Sequence, residues 1–422
     1  MDMEFAEMMR ELGLPPSELE NGLAVGVSGG SDSTALALLA YGWCMERDIP
    51  FLAIVCDHGL RRESKNEAAL AADRLISKGL DCRVLALHVQ PGTAIQERAR
   101  DARYKAMASL MRRSGIGVLA VAHHAMDQAE TVAHRIQGGG STVLGCAGML
   151  SVRVMEDALL IRPLLGCGRG SLRDYLREEG MEWTEDPSNS DRKYARVRIR
   201  QALAVEPGEV EKLLELAASS LKTLQEVHEE RDRILSNAVV DELPWGAFLV
   251  DTTKLGRGAA CAEAMREVIC RASGTFPSVD HSKLLGFASK PSTLGGAEIS
   301  ELRKGVSWVH REVVRMQTPS LAKSYSTWDG RIRLADQDIK GCTLEAFGAE
   351  SATVLRRKRM VDEHIPHKVL STAPCVRDTH GRVISLPQLR LGDDVAMGVA
   401  MRQMPRLSLP EKELVPPLKP VY

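Results

Sequence analysis

The chain reads as an α/β protein: an N-terminal doubly wound, mostly parallel sheet, then a helical segment, then a smaller α+β C-terminal part. Three observations predict this. Short apolar runs alternate with helix-length stretches from Gly22 to beyond Asp127, the pattern of βαβ units. Leu213, Leu214, Ala217, Leu221, Leu224 and Val227 recur at helical spacing among polar residues, which marks an amphipathic helix packing on a core. Beyond Pro291, glycine-rich turns separate short alternating segments such as VSWVHREVV, GRIRLAD and GRVISLP, the mark of a β-containing part. At 422 residues the chain is too long for one core, and the expected divisions are 1–205, 206–290 and 291–422.

Gly22 to Val27 is the first strand and Thr34 to Tyr41 lies in the first, buried helix. Phe51–Asp57 is a second strand, Asn66–Lys78 a helix, Cys82–Val89 a third strand, Ala94–Arg113 a long charged helix, and Val118–His123 a fourth strand. Ligands of such sheets bind beyond the carboxyl ends of the strands. Those ends carry Ser28–Ser33, Asp57-His58 and His123-His124, so three polar clusters converge on one rim. A helix spanning Ala259–Ala272 follows the leucine stripe, and the tail EKELVPPLKPVY is extended.

Composition excludes several classes. Lys+Arg (55) nearly balance Asp+Glu (56), so any nucleic-acid partner must be met by local patches. The acidic start MDMEFAEMMRELG is unlike a secretory signal and no run reaches a membrane span, so a cytoplasmic location without membrane attachment is expected. None of the nine cysteines is spaced C-x-x-C, which argues against a zinc ribbon or an iron–sulfur cluster clamped at that spacing.

Residues 26–36 carry the strongest signal. Ser28, Gly29, Gly30, Ser31, Asp32 and Ser33 form a glycine- and hydroxyl-rich turn between strand and helix. Free N–H groups and the positive dipole end favour an anion there, and glycine lets backbone approach it. Asp32 can hold a metal ion or orient a proton. After the fourth strand, Asp127 and Glu130 stand three apart on one helical face, suited to Mg²⁺ or a cationic substrate, although acids in a first turn also simply complement the dipole. Arg100, Arg103 and Tyr104 lie on the long helix, as a basic face or a binding one. Five cations and no acid occupy Arg192–Arg200. Arg196, Arg198 and Arg200 alternate with apolar residues, so an extended segment would present one cationic face for phosphate.

The loop resembles the pyrophosphate loop of the N-type ATP pyrophosphatase (PP-loop) superfamily. The ordered set SGGSDS, DHGLR, AR-x-x-RY, HH-x-x-DQ-x-ET, RPLL, W-x-EDPSN and R-x-RIR, strong over about residues 20–200, is similar to bacterial tRNA(Ile)-lysidine synthases. Looser likeness continues through Thr293-Leu-Gly-Gly and Ile365-Pro-x-x-x-Leu. The resemblance implies a PP-loop catalytic domain over 1–205, a tRNA-contacting helical domain and a C-terminal domain for tRNA recognition. It implies a ligase that adenylates the 2-carbonyl oxygen of the wobble cytidine in the CAU anticodon of a minor isoleucine tRNA, then joins free L-lysine to it, releasing AMP and pyrophosphate. ATP and Mg²⁺ are the implied cofactors. Ser28, Gly29, Gly30, Ser31, Asp32 and Ser33 would bind ATP, with Asp57 and His58 near its nucleoside and Asp32 as the Mg²⁺ ligand. Arg103, Asp127 and Glu130 would meet lysine or the target base, with a neighbouring carboxylate or His124 as base. Arg162, Arg196, Arg198 and Arg200 would meet tRNA phosphate or the reaction's anionic groups. The chain departs from the family's pattern at Met126, at Val197, and in the glycine-rich segment His134–Met149. Two other readings compete: a tRNA thiolase of the same superfamily, and a non-catalytic tRNA-binding protein with a relic loop. The sequence leaves a homodimer open.

Overall fold

The computed structural model describes the chain outside residues 58, 60–62, 88–94, 139–142, 156–157, 186–194, 204, 206–207, 276–278, 301–303, 324–326, 335–338, 387–390, 393–400 and 404–422. Its described part divides into two compact units, Met1–Gln225 and Glu226–Leu407.

In the first unit, α1 (Asp2–Glu11) and α2 (Pro16–Leu19) lead into the alternation β1 (Leu23–Val27), α3 (Ser31–Met45), β2 (Phe51–Asp57), α4 (Ser64–Ser77), β3 (Cys82–Ala86), α5 (Ile95–Ser114), β4 (Val118–Ala120) and α6 (Ala125–Gln137). Then come α7 (Val143–Cys146), β5 (Val152–Val154), β6 (Leu159–Ile161), α8 (Arg169–Glu178) and α9 (Ala195–Leu203). The sheet order is β3-β2-β1-β4-β6-β5, parallel apart from β5 against β6. Strand residues alternate between the faces. Leu23, Val25 and Val55 pack with Leu36, Leu39, Leu75 and Leu172 on one side, and Ala24, Leu52, Ile54 and Leu119 pack with Met107 and Met111 of α5 on the other. Burial on both faces explains why these strands read as continuous apolar runs. Strand order reverses between β1 and β4, so their carboxyl ends flank the switch point where ligands of open α/β sheets bind.

The Arg196–Arg200 segment is helical, in α9, so the one cationic face that an extended segment would have offered does not form. Val197 and Ile199 are buried, and Ile199 and Leu203, four apart, pack with Ala125, Ala129 and Val132 of α6. The helical period therefore decides the segment, and packing on α6 selects it. The departure Val197 is a buried side chain, and Met126 packs at the edge of the same cluster. Helix α10 (Glu209–Ala238) continues the chain into the second unit.

There, β7 (Val239–Leu243) and β8 (Ala247–Asp251) precede α11 (Ala259–Ser273) and α12 (His281–Ser289), and join β9 (Ser292–Leu294), β10 (Ala297–Ile299) and β11 (Val306–Arg311) in the order β7-β8-β11-β10-β9. After β12 (Ser320–Leu321), β13 (Thr327–Trp328), β14 (Ile332–Leu334) and β15 (Thr343–Ala346) come α13 (Ala349–Arg357) and α14 (His367–Ser371). The last strands are β16 (Pro374–Arg377), β17 (Val383–Leu386), β18 (Leu391–Gly392) and β19 (Met401–Gln403), forming sheets β12-β15-β16-β17-β18 and β13-β14-β19. One core lies between the β7–β11 sheet and α11/α12, through Phe248, Val309, Met265 and Leu284. Another lies on its opposite side, where Trp245 and Trp308 meet Ile332, Phe347, Val369 and Cys375.

A buried ionic node links these layers. The Asp329 carboxylate accepts from Arg311 (Nε 2.9 Å, Nη2 2.8 Å), from Arg331 Nε (2.9 Å) and from the Gln317 N–H (3.0 Å). Arg331 also donates to the carbonyls of Trp245 (3.3 Å) and Thr372 (3.2 Å). Its burial, only partly offset by Asp329, pushes the guanidinium down to about 10. The Asp329–Gly330 turn approaches the end of α11 so closely that a Cβ on Gly330, at φ +65, would stand 2.2 Å from the Gly274 carbonyl oxygen. Among the described residues no helix is long and apolar enough to cross a membrane. None of the nine cysteines is in a disulfide and seven are buried; burial pushes the Cys44, Cys167, Cys270 and Cys375 thiols up to about 12.

Candidate functional site: a glycine loop and a carboxylate–guanidinium network

The β1–α3 turn is built to keep backbone N–H groups open. Gly30 is the N-cap of α3 in extended conformation, and its missing side chain leaves the first-turn N–H groups without a side-chain cap. Gly29 sits at φ +83, where a Cβ would lie 3.2 Å from Ala71 Cβ. The turn is braced from within: Ser33 Oγ accepts from the Ser28 N–H (3.1 Å), contacts Ser28 Oγ (3.0 Å) and donates to the Gly30 carbonyl (3.2 Å). The Thr184 N–H donates to the Gly29 carbonyl at 2.9 Å, so the W-x-ED stretch seen in the sequence pins the loop from outside. Ser31 and Ser33 are buried whereas Ser28 is exposed. Glycine backbone, an uncapped helix start and an exposed hydroxyl fit a nucleotide phosphate.

Asp32, on the first turn of α3, faces the opposite bank of the switch point. His124 Nε2 lies 3.5 Å from Asp32 Oδ2 and 3.6 Å from Asp127 Oδ2, so one imidazole nitrogen bridges the carboxylates at the ends of β1 and β4. His124 is only 2 % exposed. Arg169 Nε stands 3.5 Å from Asp32 Oδ1. Burial pushes the Asp32 carboxyl up, but the hydrogen bond and charge of His124, the charge of Arg169 and the Ser31 hydroxyl together hold it below its ordinary value.

Asp127 accepts the His124 N–H at 3.1 Å, half of a capping box at the start of α6. Glu130, 2 % exposed, pairs with Arg200 Nε, and Arg200 Nη2 stands 3.6 Å from Asp127 Oδ1. Burial works against the Arg200 charge, but Glu130, Asp127 and Asp32 outweigh it and raise the guanidinium above its ordinary value. Three carboxylates thus face two guanidiniums and an imidazole. Before the imidazole is counted, the three carboxylates outnumber the two guanidiniums by one charge.

The structure therefore brings Ser28–Ser33, His124, Asp127, Glu130 and Arg200 together. Asp57 at the end of β2 accepts from Gly59 N–H (2.9 Å) and from Ser64 Oγ (2.6 Å), the first residue of α4. Arg198 is exposed on α9. Arg103 and Arg162 stand near Tyr104 on the α5 side of the sheet. His58 and the side chain of Arg196 lie outside the described residues.

Sequence reasoning missed Arg169, although a signal exists. It opens α8, where a cation opposes the helix dipole, and such a placement needs a nearby anion to favour it. It also missed Gln128, 2 % exposed, which both donates to the Met149 carbonyl (3.0 Å) and accepts its N–H (2.7 Å), tying α6 to the end of the glycine-rich segment.

Residues 1–206 match the family model described as PP-loop domain. Over 379 residues the chain is 31 % identical to a tRNA(Ile)-lysidine synthase of Ruegeria pomeroyi, covering 84 % of this chain and 85 % of that protein. It is likewise 31 % identical over 378 residues to one of Mesorhizobium japonicum, covering 86 % and 82 %. A Novosphingobium aromaticivorans protein of the same name is 43 % identical over 187 residues, covering 43 % of this chain and 56 % of that one. With the PP-loop signature on an α/β sheet and the relatives matched along most of their length, the chain belongs to the tRNA(Ile)-lysidine synthase family.

Proposed function

We propose that this enzyme ligates the ε-amine of free L-lysine to the wobble cytidine of the CAU anticodon of an isoleucine tRNA, consuming ATP. Family membership carries the reaction class, tRNA lysidine formation by an ATP-binding ligase. The observation that carries the residue roles is the anionic network of Asp32, Asp127 and Glu130 beside an uncapped helix start.

In the first step the 2-carbonyl oxygen of the cytidine attacks the α-phosphorus of ATP. The new O–P bond forms as the bond to the bridging oxygen breaks, and pyrophosphate leaves. Ser28 and the N–H groups of the α3 start bind the phosphates. Asp32 would hold a magnesium ion, which would supply neutralisation of the departing charge. In the second step the lysine amine attacks C2, loses its proton, and the C–O bond breaks to release AMP.

Burial and pairing divide the carboxylates by task. Glu130 is held by Arg200, whereas Asp127 keeps 22 % of its side chain exposed and is the better placed to receive the lysine ammonium and accept its proton. His124 orients Asp32 and Asp127 against each other. Arg198 is a phosphate contact on the outer side of α9.

The deciding assay combines the full chain, ATP, Mg²⁺, labelled lysine and unmodified CAU-anticodon tRNA. Lysine incorporation with stoichiometric AMP and pyrophosphate is expected. Base modification that requires a sulfur donor instead would assign a thiolase, and tRNA binding without lysine-dependent AMP would assign a non-catalytic binder.

A further inference from the structure

One face of α4 carries a row of contacts that ends on the nucleotide loop. Ala71, Arg74 and Lys78 stand three and four apart, so they share that face. A Cβ on Gly29 would lie 3.2 Å from Ala71 Cβ. Arg74 donates from Nη2 to Glu182 Oε2 (2.8 Å) and from Nη1 to Thr184 Oγ1 (3.2 Å), and Lys78 Nζ donates to the Glu179 carbonyl (2.6 Å). The chain from Glu179, the C-cap of α8, to Thr184 therefore runs back along α4 toward the loop as a strap. Its far end is tied to α8, where Arg173 pairs with Glu185 and Trp183 Nε1 donates to the same carboxylate oxygen (3.1 Å). Glu182 keeps 83 % of its side chain in water, and an ion pair this open contributes little to stability. The fork of Arg74 is better explained by what it holds in place.

What it holds is one peptide of the loop. The Thr184 N–H donates to the Gly29 carbonyl (2.9 Å), and a Cβ on Gly30 would meet the Thr184 carbonyl oxygen at 3.9 Å. The peptide that joins Gly29 to Gly30 has glycine on both sides, so no side chain of its own restricts its orientation. In a trans peptide the C=O and the following N–H point in opposite directions. Drawing the Gly29 oxygen toward the strap thus turns the Gly30 N–H away from it. Among the described residues that N–H has no acceptor, and it stands at the uncapped start of α3, where an anion is favoured.

Resting on the nucleotide reading of that loop, we propose that Arg74 and Thr184 are positioning residues for ATP: Arg74 fixes the strap on α4, and the strap fixes the Gly29–Gly30 peptide with its N–H turned to a phosphate oxygen. Neither side chain touches the nucleotide. Their effect is on the phosphates alone, because the strap acts through one loop peptide and leaves the rest of the site as it is.

The test uses the full chain with Arg74→Met, Thr184→Val and the double variant. Each is measured at equilibrium for ATP with Mg²⁺ and, separately, for adenosine, which lacks every phosphate. Arg74→Met keeps the stem and removes the fork. It should weaken ATP binding by about 3- to 10-fold, the share of one hydrogen bond to a phosphate, with adenosine affinity within about 2-fold of wild type. Thr184→Val keeps the N–H and removes the hydroxyl that Arg74 grips, so it should weaken ATP in the same direction. Because both changes cut one path, the double variant should be no weaker than Arg74→Met by more than about 2-fold. In the ligation assay the KM for ATP should rise with the KM for lysine unchanged. Unchanged ATP affinity in Arg74→Met would overturn the proposal. Equal loss of ATP and adenosine, the sign of a general loss of structure, would do the same, as would losses that multiply in the double variant. Wild-type protein that prefers ATP over adenosine yet incorporates no lysine would overturn the ligase reading and leave the strap standing.

Discussion

Replacing Arg200 with alanine removes the guanidinium that touches both Glu130 and Asp127. Two unit charges about 3 Å apart attract by roughly 5 kcal/mol at an effective dielectric of about 20. Glu130 is 2 % exposed, but the Arg200 side chain keeps 29 % of its surface in water, so the gain is screened and part of it offsets the desolvation of the carboxylate. Breaking a fully buried pair costs about 3–5 kcal/mol, and the exposure of Arg200 places this one at about 2–3 kcal/mol. For a unit of this size that lowers the midpoint of thermal unfolding by roughly 4–12 °C. The assay is a double-mutant cycle of Arg200→Ala, Glu130→Gln and the double variant, followed by denaturant or thermal unfolding. Because the Gln variant no longer has a charge for Arg200 to satisfy, the double variant should be more stable than the two single losses imply, with a coupling of about 1.5 kcal/mol or more. Additivity within about 0.5 kcal/mol would refute the pairing and with it the division of labour between Glu130 and Asp127.

Asp127→Asn should raise the KM for lysine by about 10- to 100-fold, the cost of a lost charge-assisted hydrogen bond, with ATP affinity nearly unchanged; equal loss of both contradicts the role given to Asp127. His228 is held at about 4 against an ordinary 6.5, chiefly by burial and also by Arg231. The unfolded chain therefore takes up this proton first, so the histidine's contribution is complete above about 6.5 and shrinks as pH falls toward about 4. His228→Gln should accordingly flatten the fall in unfolding temperature between pH 7 and pH 5, and an identical fall in both proteins refutes it. Gly330→Ala, with its Cβ 2.2 Å from a backbone oxygen, should cost more than about 2 kcal/mol, whereas Gly381→Ala, at φ +75 in open space, should cost about 1 kcal/mol. Equal losses would show that the tight approach at Gly330 is relieved in solution.

The parallel sheet was legible because each strand and helix declares its own burial locally, as the all-apolar runs of β1 and β2 do. The nucleotide loop was legible for a related reason: its chemistry is backbone chemistry, and glycine and serine advertise it at adjacent positions. Residues 195–203 were not, since Arg-Val-Arg-Ile-Arg satisfies a strand period and a helix period alike, and only contact with α6 chooses. The same distance effect hid the partner of Glu130. Arg200 lies 70 residues away, and no local pattern says that this cation of the run turns inward. Arg169 and Asp32 meet across an even longer interval, and within the second unit Arg331 and the Thr372 carbonyl meet 41 residues apart.

The shared carboxylate of Asp329 bears on how this chain can change over evolutionary time. Arg311 arrives from the sheet beneath α11 and Arg331 from the terminal β layers, and both spend their charge on the same two oxygens. Neither layer can be exchanged as a separate cassette, because a graft that brings one arginine without the acid strands a cation in the interior. Inheritance of the second unit is thereby all or nothing: its layers must drift, be lost or be borrowed together.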